Sequence, residues 1–250
     1  MISVCIPTFN GEKYIEEQLK SILNQLDFKD EIIISDDHST DRTIEIVNSF
    51  NDSRIKIYEN KKRNHYFKFM YTTCNIENAL KYSVGDFIYL ADQDDIWMEN
   101  KVSVIQSLFE SYDVVLSDCS IIDENSKIIS ESYFEINKSQ KGFVKNIISN
   151  SYLGCCMAFN RKVLFKVIPI SRFTVPHDIW IGLISETYYR VCFEPTKLVK
   201  YRRHGENLSS SGEVSTNSLI YKIHYRLILF VAIFVRIIKI WIKKNLFYKL

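Results

Sequence analysis

Two clusters of carboxylates dominate the chemistry open to this sequence. Asp36-Asp37-His38-Ser39-Thr40-Asp41 and Asp92-Gln93-Asp94-Asp95 each follow an apolar run. Asp36, Asp37, Asp92, Asp94 and Asp95, brought to one crevice, repel one another unless a cation or hydrogen-bond donors compensate. A divalent metal is the simplest compensator, and hard oxygen ligands suit Mg²⁺ or Mn²⁺ rather than Zn²⁺. In an extended segment, alternation would put the side chains of Asp92 and Asp94 on the same side, so that both reach one diphosphate–metal unit. Local structure offers a competing account of part of this pattern. Thr40 can cap the helix that follows it, Asp41 fits the same turn, and Asp92–Asp95 can be read as a solvated loop.

Those clusters need elements that deliver them to one place. Residues 2–7 form an apolar run ending in Pro-Thr-Phe-Asn-Gly, a buried strand followed by a turn. Helical spacing over 12–26 follows, then a strand over 31–35, a helix over 40–50 and a strand over 54–58. A helix over 75–83 leads through Gly85 to a strand over 86–91. Beyond the second acidic cluster the pattern gives a helix over 99–110 and a strand over 113–117, with 120–140 a polar surface excursion. A strand over 154–159, a helix over 177–188 and short strands over 191–193 and 198–201 complete the body. Alternating strands and helices imply a largely parallel sheet covered on both faces, with ligands held beyond the carboxyl ends of its strands.

Composition narrows the partners. The chain has 250 residues, 46% hydrophobic and 25% charged, which excludes a disordered or fibrous protein. The net charge of +2 hides an asymmetry: residues after Glu213 hold seven Lys/Arg and no acid, leaving 25 basic and 30 acidic residues in 1–213. An acidic body with a basic apolar tail argues against nucleic acid and for a membrane surface. The six cysteines show no CxxC and no zinc spacing, and read as buried free thiols in a reducing compartment. The first strand begins at once, without the basic and apolar regions of a signal peptide.

Val4-Cys5-Ile6-Pro7-Thr8-Phe9-Asn10, Ile34-Ser35-Asp36-Asp37-His38-Ser39-Thr40-Asp41 and Leu90-Ala91-Asp92-Gln93-Asp94-Asp95-Ile96-Trp97 resemble the ordered signatures of the family 2 glycosyltransferases over about residues 1–210. The resemblance implies the GT-A fold, a Rossmann-like nucleotide-binding α/β domain with a mostly parallel central sheet. It also implies inversion at the anomeric carbon and a nucleotide-sugar donor. Residue by residue, Pro7 and Thr8 should line the nucleotide pocket with Glu12 nearby on the first helix, and Asp37 should accept a hydrogen bond from a uracil or thymine imide. Asp92-Gln93-Asp94 is the DxD motif, with Asp92 toward the ribose, Asp94 on the metal and Asp95 an additional carboxylate.

His177-Asp178 stands where the family usually has Glu-Asp, so Asp178 matches the general base; it can equally cap its helix. Tyr201-Arg202-Arg203-His204-Gly205-Glu206-Asn207-Leu208-Ser209 resembles the closing motif of the subgroup with Asp-Gln-Asp-Asp-Ile-Trp. There His204 can complete the metal shell, and Arg202 or Arg203 can neutralise the diphosphate; a surface strand with paired charges is the plainer reading. Gly154-Cys155-Cys156 matches a family segment near the acceptor channel, and fits a core strand as well. The Gln-x-x-Arg-Trp motif of processive members is missing, which favours one sugar per acceptor.

Residues 214–250 form an amphipathic helical tail whose longest uncharged run, 227–235, is nine residues, short of the ~20 that span a bilayer. Arg236, Lys239 and Lys243 share one helical face, which suits a helix in the headgroup region; packing on the body or on a partner is the alternative. The expectation is a GT-A domain over 1–213 that uses Mn²⁺ or Mg²⁺ to add a single hexose from a UDP- or dTDP-sugar. Its acceptor would be an undecaprenyl-diphosphate-linked saccharide for O-antigen or capsule, at the cytoplasmic face of the inner membrane. A rhamnosyl donor competes within the class. A sugar-nucleotidyltransferase and a catalytically silent membrane-bound partner compete from outside it, the former weakened by the absence of a basic residue in Pro7-Thr8-Phe9-Asn10-Gly11-Glu12.

Overall fold

The apolar runs of the sequence join into one nine-stranded sheet in the computed structural model, which describes residues 1–62, 64–65, 67–171, 175–205 and 218–247. The first half alternates: β1 (Ile2–Thr8), α1 (Ile15–Leu23), β2 (Glu31–Asp36), α2 (Thr43–Ser49), β3 (Ile55–Glu59), α3 (Phe69–Tyr82) and β4 (Phe87–Leu90). There follow β5 (Ile96–Trp97), α4 (Lys101–Leu108), β6 (Val114–Ile122), β7 (Ile128–Ser130), α5 (Tyr133–Asn137) and α6 (Phe143–Ile148). Last come β8 (Met157–Asn160), α7 (Leu164–Val167), α8 (His177–Tyr188), β9 (Val191–Arg202) and α9 (Leu219–Phe247).

The strand order is β3-β2-β1-β4-β8-β6-β9-β5, with β7 paired to β6. β3, β2, β1 and β4 run parallel. Beyond β4 the sheet is mixed: β8 is antiparallel to both β4 and β6, β9 is parallel to β6, and β5 is antiparallel to β9. Every residue of β1 and β2 is buried, as strands covered on both faces require. Val4, Ile6, Ile32, Ile34 and Leu116 are wholly shielded from solvent, each worth about 1.5–3 kcal/mol of burial. The strand order reverses at β1, with β2 on one side and β4 on the other, so a crevice opens at their carboxyl ends. None of the six cysteines is in a disulfide.

Several elements depart from the sequence reading. α1 begins at Ile15 rather than at 12, because Tyr14 and Ile15 N–H groups first close a turn on the Gly11 carbonyl. α2 begins at Thr43, and Asp41 rather than Thr40 meets its first N–H, accepting from Thr43 N at 2.9 Å. Thr40 N instead donates to Asn10 Oδ1. The region 120–140 is not a loose excursion. β6 runs on to Ile122, and buried Asp118 accepts from Ser132 Oγ (2.6 Å) and Phe134 N (2.9 Å), fastening α5 onto the sheet. Gly154–Cys156 is a 3-10 turn before β8, and the two short strands over 191–201 are one, β9.

α9 lies on the body. Leu229, Ala232 and Ile233 are buried, and the helix contacts α6 and α8. Arg226 Nη2 donates to Ile148 O at 2.7 Å, Arg236 Nε donates to Lys166 O at 2.7 Å, and Arg236 Nη2 donates to Ile168 O. Arg236 is therefore a docking residue, unlike the exposed Lys239 and Lys243 with which the sequence groups it. The opposite face exposes Ile223, Leu227, Phe230, Phe234, Ile238 and Trp241. Among the described residues, no helix is long and apolar enough to cross a membrane. The junction at 213/214 lies outside the described residues.

Candidate active site

The crevice is built first by polar side chains that fasten its loops. Pro7 is buried in β1 opposite Ser35. The buried Thr8 hydroxyl donates to Asp36 Oδ1 at 2.8 Å, and Asp36 also accepts from Ser39 N (2.8 Å) and Ser39 Oγ (2.6 Å). Thr8 and Asp36 thus set the backbone at this edge of the crevice. Asp37, half-buried at the end of β2, accepts from Asn60 Nδ2 at 2.9 Å, and its N–H donates to Thr8 O. Glu12 precedes α1 instead of lying on it. Exposed, it accepts from Arg42 N at 2.9 Å while its own N–H donates to Asp41, tying the β1 loop to the β2 loop.

The second acidic cluster is not extended. The chain turns at Gln93–Asp94, so the two-residue alternation that would align Asp92 with Asp94 does not apply. Asp92 groups instead with Asp95 and Cys155, their ligand atoms all within 4.8 Å of one another. Asp94 turns toward the end of β9, its Oδ2 2.7 Å from His204 Nε2. Gln93, between them, accepts from Phe9 N (2.9 Å) and donates to Phe9 O (3.0 Å). Gly11 makes room for it: a Cβ there would lie 2.4 Å from Gln93 Oε1.

Negative charge is concentrated here. Burial, followed by the charges of Asp94 and Asp178, pushes Asp92 up to about 7. Burial raises the wholly shielded Asp95 well above the carboxylate range, with Asp94 and Asp92 adding to it. Asp95 Oδ1 accepts from Arg202 N at 2.9 Å, while its buried Oδ2 has no hydrogen-bond partner among the described residues. Buried Lys101 donates to Cys155 O at 2.8 Å and stacks over Trp97, and burial lowers its pKa. An oxygen-rich pocket with an orphaned buried carboxylate oxygen fits a divalent cation.

Asp178 enters from the first turn of α8. Its Oδ1 accepts from Ile179 N at 2.7 Å and its Oδ2 accepts from Asn150 Nδ2 at 3.3 Å, so one oxygen serves the helix start and the other is held by the chain before β8. Burial lowers the pKa of the adjacent His177, keeping the imidazole neutral. A Cβ on Gly154 would lie 2.6 Å from His177 Nε2, so that glycine accommodates this ring rather than a ligand.

The closing motif divides into two roles. Arg202 is buried, with Nη2 2.7 Å from Glu17 Oε2, Nε donating to Asp94 O (2.7 Å) and Nη1 donating to Ser126 Oγ (2.9 Å). Its guanidinium also covers the Tyr14 ring at 4.6 Å. Arg202 thus clamps the backbone of Asp94 with its side chain and the carboxylate of Asp95 with its own N–H. Arg203 N donates to Ile122 O, and Arg203 Nη1 donates to Tyr201 Oη at 3.4 Å. Glu206, Asn207, Leu208 and Ser209 lie outside the described residues.

Residues 3–167 match the family model described as Glycosyl transferase family 2. This chain belongs to that family. The match sets aside the nucleotidyltransferase reading and makes the chain a glycosyltransferase. It is 28% identical over 220 residues to an Escherichia coli UDP-Glc:α-D-GlcNAc-diphosphoundecaprenol β-1,3-glucosyltransferase, covering 84% of this chain and 80% of that one. It is 36% identical over 196 residues to a Campylobacter jejuni GalNAc(5)-diNAcBac-PP-undecaprenol β-1,3-glucosyltransferase, covering 76% of this chain and 62% of the relative's length. Among solved structures, Staphylococcus aureus TarS residues 1–349 in complex with UDP-GlcNAc superposes with a TM-score of 0.66 at 21% identity, over 90% of this chain and 65% of that one. That likeness places the glycosyltransferase in the GT-A fold.

The sequence did not single out several residues that shape this glycosyltransferase's site. Gln93 was visible only as the middle of the DxD. Asn60 and Asn150 carry no motif, and Cys155 is marked only by its neighbour Gly154. Tyr14 is hidden among helix residues; its ring lies 5.2 Å from that of His204, backing the Asp94 partner.

Proposed function

We propose that this glycosyltransferase moves one hexose from a UDP- or dTDP-sugar, with inversion, to a saccharide carried on undecaprenyl diphosphate. Glucose is the favoured sugar, because both relatives named above are glucosyltransferases. The observation that supports the reading is the two adjoining groups at the end of β4, Asp94 with His204 at 2.7 Å and Asp92 with Asp95, together with the charge of Asp178 from α8 that acts on Asp92.

Asp37, held by Asn60, is placed to accept the imide N–H of the base. Asp94 and His204, with Asp92 and Asp95 behind them, would hold Mn²⁺ or Mg²⁺. Such an ion supplies positive charge against the growing negative charge of the diphosphate leaving group. Arg202 fixes Asp94 and Asp95, and Arg203 is the cation on the same strand end that can face the diphosphate. Asp178 takes the proton of the acceptor hydroxyl as that oxygen bonds to the anomeric carbon. The carbon–phosphate oxygen bond breaks with its electron pair leaving on the nucleoside diphosphate.

The acceptor's lipid requires work at a membrane. The exposed stripe on α9 from Ile223 to Trp241, with Lys239 and Lys243 exposed beside it, suits the cytoplasmic face of the inner membrane. The deciding experiment is nucleotide release from a panel of UDP-, dTDP- and GDP-sugars, with GlcNAc-diphosphoundecaprenol and with or without Mn²⁺. Metal- and acceptor-dependent release from UDP-glucose is expected. Release from none of the donors would overturn the reading.

A further inference from the structure

The reaction proposed above leaves Cys155 without a part, although the fold carries it to the acids of the crevice. β8 is antiparallel to β4, with Tyr89 opposite Ala158, so the turn before β8 returns beside the residues that follow β4. Cys155 in that turn meets Asp92 and Asp95 there, and the three offer ligand atoms within 4.8 Å of one another. Asp95 and Cys155 are wholly shielded from solvent, and Asp92 is half-buried. Asp94 is not one of the group; its Oδ2 is turned to His204 Nε2 at 2.7 Å.

Asp95 marks the group as a place for a ligand. Its Oδ1 accepts from Arg202 N at 2.9 Å, which leaves the buried Oδ2 with no hydrogen-bond partner among the described residues. A buried carboxylate oxygen without a partner loses its hydration and gains nothing in return. Lys101, buried against the same turn, does not make up the loss: its Nζ donates to Cys155 O at 2.8 Å and lies over the Trp97 ring. Counted formally, two carboxylates, one thiolate and one ammonium leave two negative charges, which a single dication neutralises.

Sulfur selects the ion. Mg²⁺ and Mn²⁺ are held by oxygen ligands, whereas Zn²⁺ accepts a Cys sulfur and carboxylate oxygens in one shell. The order of divalent affinities also sets Zn²⁺ above Mn²⁺ at a given set of ligands. Three protein ligands leave a fourth tetrahedral position for water, and the half-buried Asp92 leaves a way in from the crevice.

We propose that Asp92, Asp95 and Cys155 form a Zn²⁺ site distinct from the Asp94–His204 position. Binding sends the Cys155 thiol proton to solvent and forms one bond to sulfur and one to each carboxylate, with no change of oxidation state. The site depends neither on which sugar is transferred nor on transfer itself.

The test titrates the full chain, reduced and then desalted, with Co²⁺ as a stand-in for Zn²⁺. A thiolate on Co²⁺ gives a charge-transfer band in the near ultraviolet that oxygen and imidazole ligands do not give. A band that saturates at one Co²⁺ per chain is expected; one equivalent of Zn²⁺ should bleach it, and a tenfold excess of Mn²⁺ should not. Cys155→Ser should abolish the band, and Asp95→Asn, which can still accept from Arg202 N, should weaken Co²⁺ at least tenfold. Asp94→Ala should keep the band, and so should Cys156→Ser, whose sulfur lies 4.0 Å from that of Cys155. Circular dichroism melts check that each variant folds, and Asp92→Asn, on the half-buried ligand, makes the same test should Cys155→Ser fail to do so.

No band in the wild type, a full band in Cys155→Ser, an unchanged affinity in Asp95→Asn, or loss of the band in Asp94→Ala or Cys156→Ser would each overturn the site. Failure of the sugar-transfer reading looks different: no nucleotide sugar is consumed, yet the cobalt band is present.

Discussion

Gln93 and Phe9 exchange two hydrogen bonds, Phe9 N to Gln93 Oε1 at 2.9 Å and Gln93 Nε2 to Phe9 O at 3.0 Å. This joins the loop after β1 to the loop after β4, the two sides of the crevice. A carboxamide is required, since one side chain must both accept and donate. Gln93→Glu keeps the size but loses the donor and adds a fifth charge beside four carboxylates. Two net hydrogen bonds are worth about 1–3 kcal/mol. Gln93→Glu is therefore expected to raise the donor KM at least tenfold with a smaller effect on melting temperature, checked by kinetics and calorimetry on the same preparation.

The 2.7 Å approach of His204 to Asp94 gives a second prediction. Asp94→Ala should abolish metal-dependent donor binding in titration calorimetry. His204→Gln should lower Mn²⁺ affinity by about 10–100-fold. Unchanged Mn²⁺ affinity in both variants would separate this pair from the metal.

Asp178→Asn should leave UDP-sugar and Mn²⁺ affinity unchanged and reduce transfer about 10²–10⁴-fold, the usual contribution of a general base. Its helix-start role survives the substitution, because the Asn oxygen still accepts from Ile179 N, so stability should change little. Near-normal turnover would place the base elsewhere.

The sequence made the strand ends legible because β1, β2 and β4 are apolar runs closed by polar punctuation, and the residues just past them are the ones at the crevice. α8 matches its expected span of 177–188, since its apolar run begins at Ile179, directly after Pro176, His177 and Asp178. What polarity could not convey is burial around a polar centre. Asp118 and Ser132 look like surface residues, yet they fasten a buried segment to each other. The motif that holds Arg202 says nothing of Glu17, 185 residues away in the chain, which takes its guanidinium. The turn at Gln93–Asp94 has no glycine or proline to announce it, so Asp92 and Asp94 look like neighbours on one side when they face different partners.

The Arg202 clamp can be separated from diphosphate binding. Arg202→Lys keeps the charge but cannot reach Glu17, Asp94 O and Ser126 together. Breaking a buried ion pair costs about 3–5 kcal/mol when one partner is left unmatched. Discounted for the half-exposed Glu17, a loss of about 1–3 kcal/mol is expected in denaturant unfolding. A guanidinium acting mainly on diphosphate would instead lower donor affinity without lowering stability.

Asp92 supplies a pH dependence whose sign follows from its raised pKa. With the folded value pushed up to about 7 from an ordinary 3.8, the native state holds more protons than the unfolded one between those values. Stability of the metal-free protein should therefore be greatest at the acid end of that window for this group and fall as pH rises through it. Asp92→Asn removes this group's share and leaves that of Asp95, and excess Mn²⁺ reverses the dependence because the ionised form binds the ion. Melting curves of both proteins at pH 5 and pH 7, with and without Mn²⁺, provide the check.

The tail is the place where deletion would mislead. Removing everything after Ser218 would strip the cover from α6 and α8 along with any membrane contact, because Leu229, Ala232 and Ile233 are buried there. Point changes on the outer stripe avoid that confusion: Phe230 and Phe234 stack on each other at 6.2 Å and are both about half-exposed, at 49% and 53%. Replacing both with Glu sets two charges where a headgroup layer would meet apolar side chains, while the docked face stays intact. The double variant should keep its melting temperature within about 2 °C, the scale of a surface change of ~0.5 kcal/mol, and lose co-sedimentation with anionic vesicles. Sedimentation equal to wild type would leave that stripe without a membrane role, and the basic residues beside it would then need a protein partner instead.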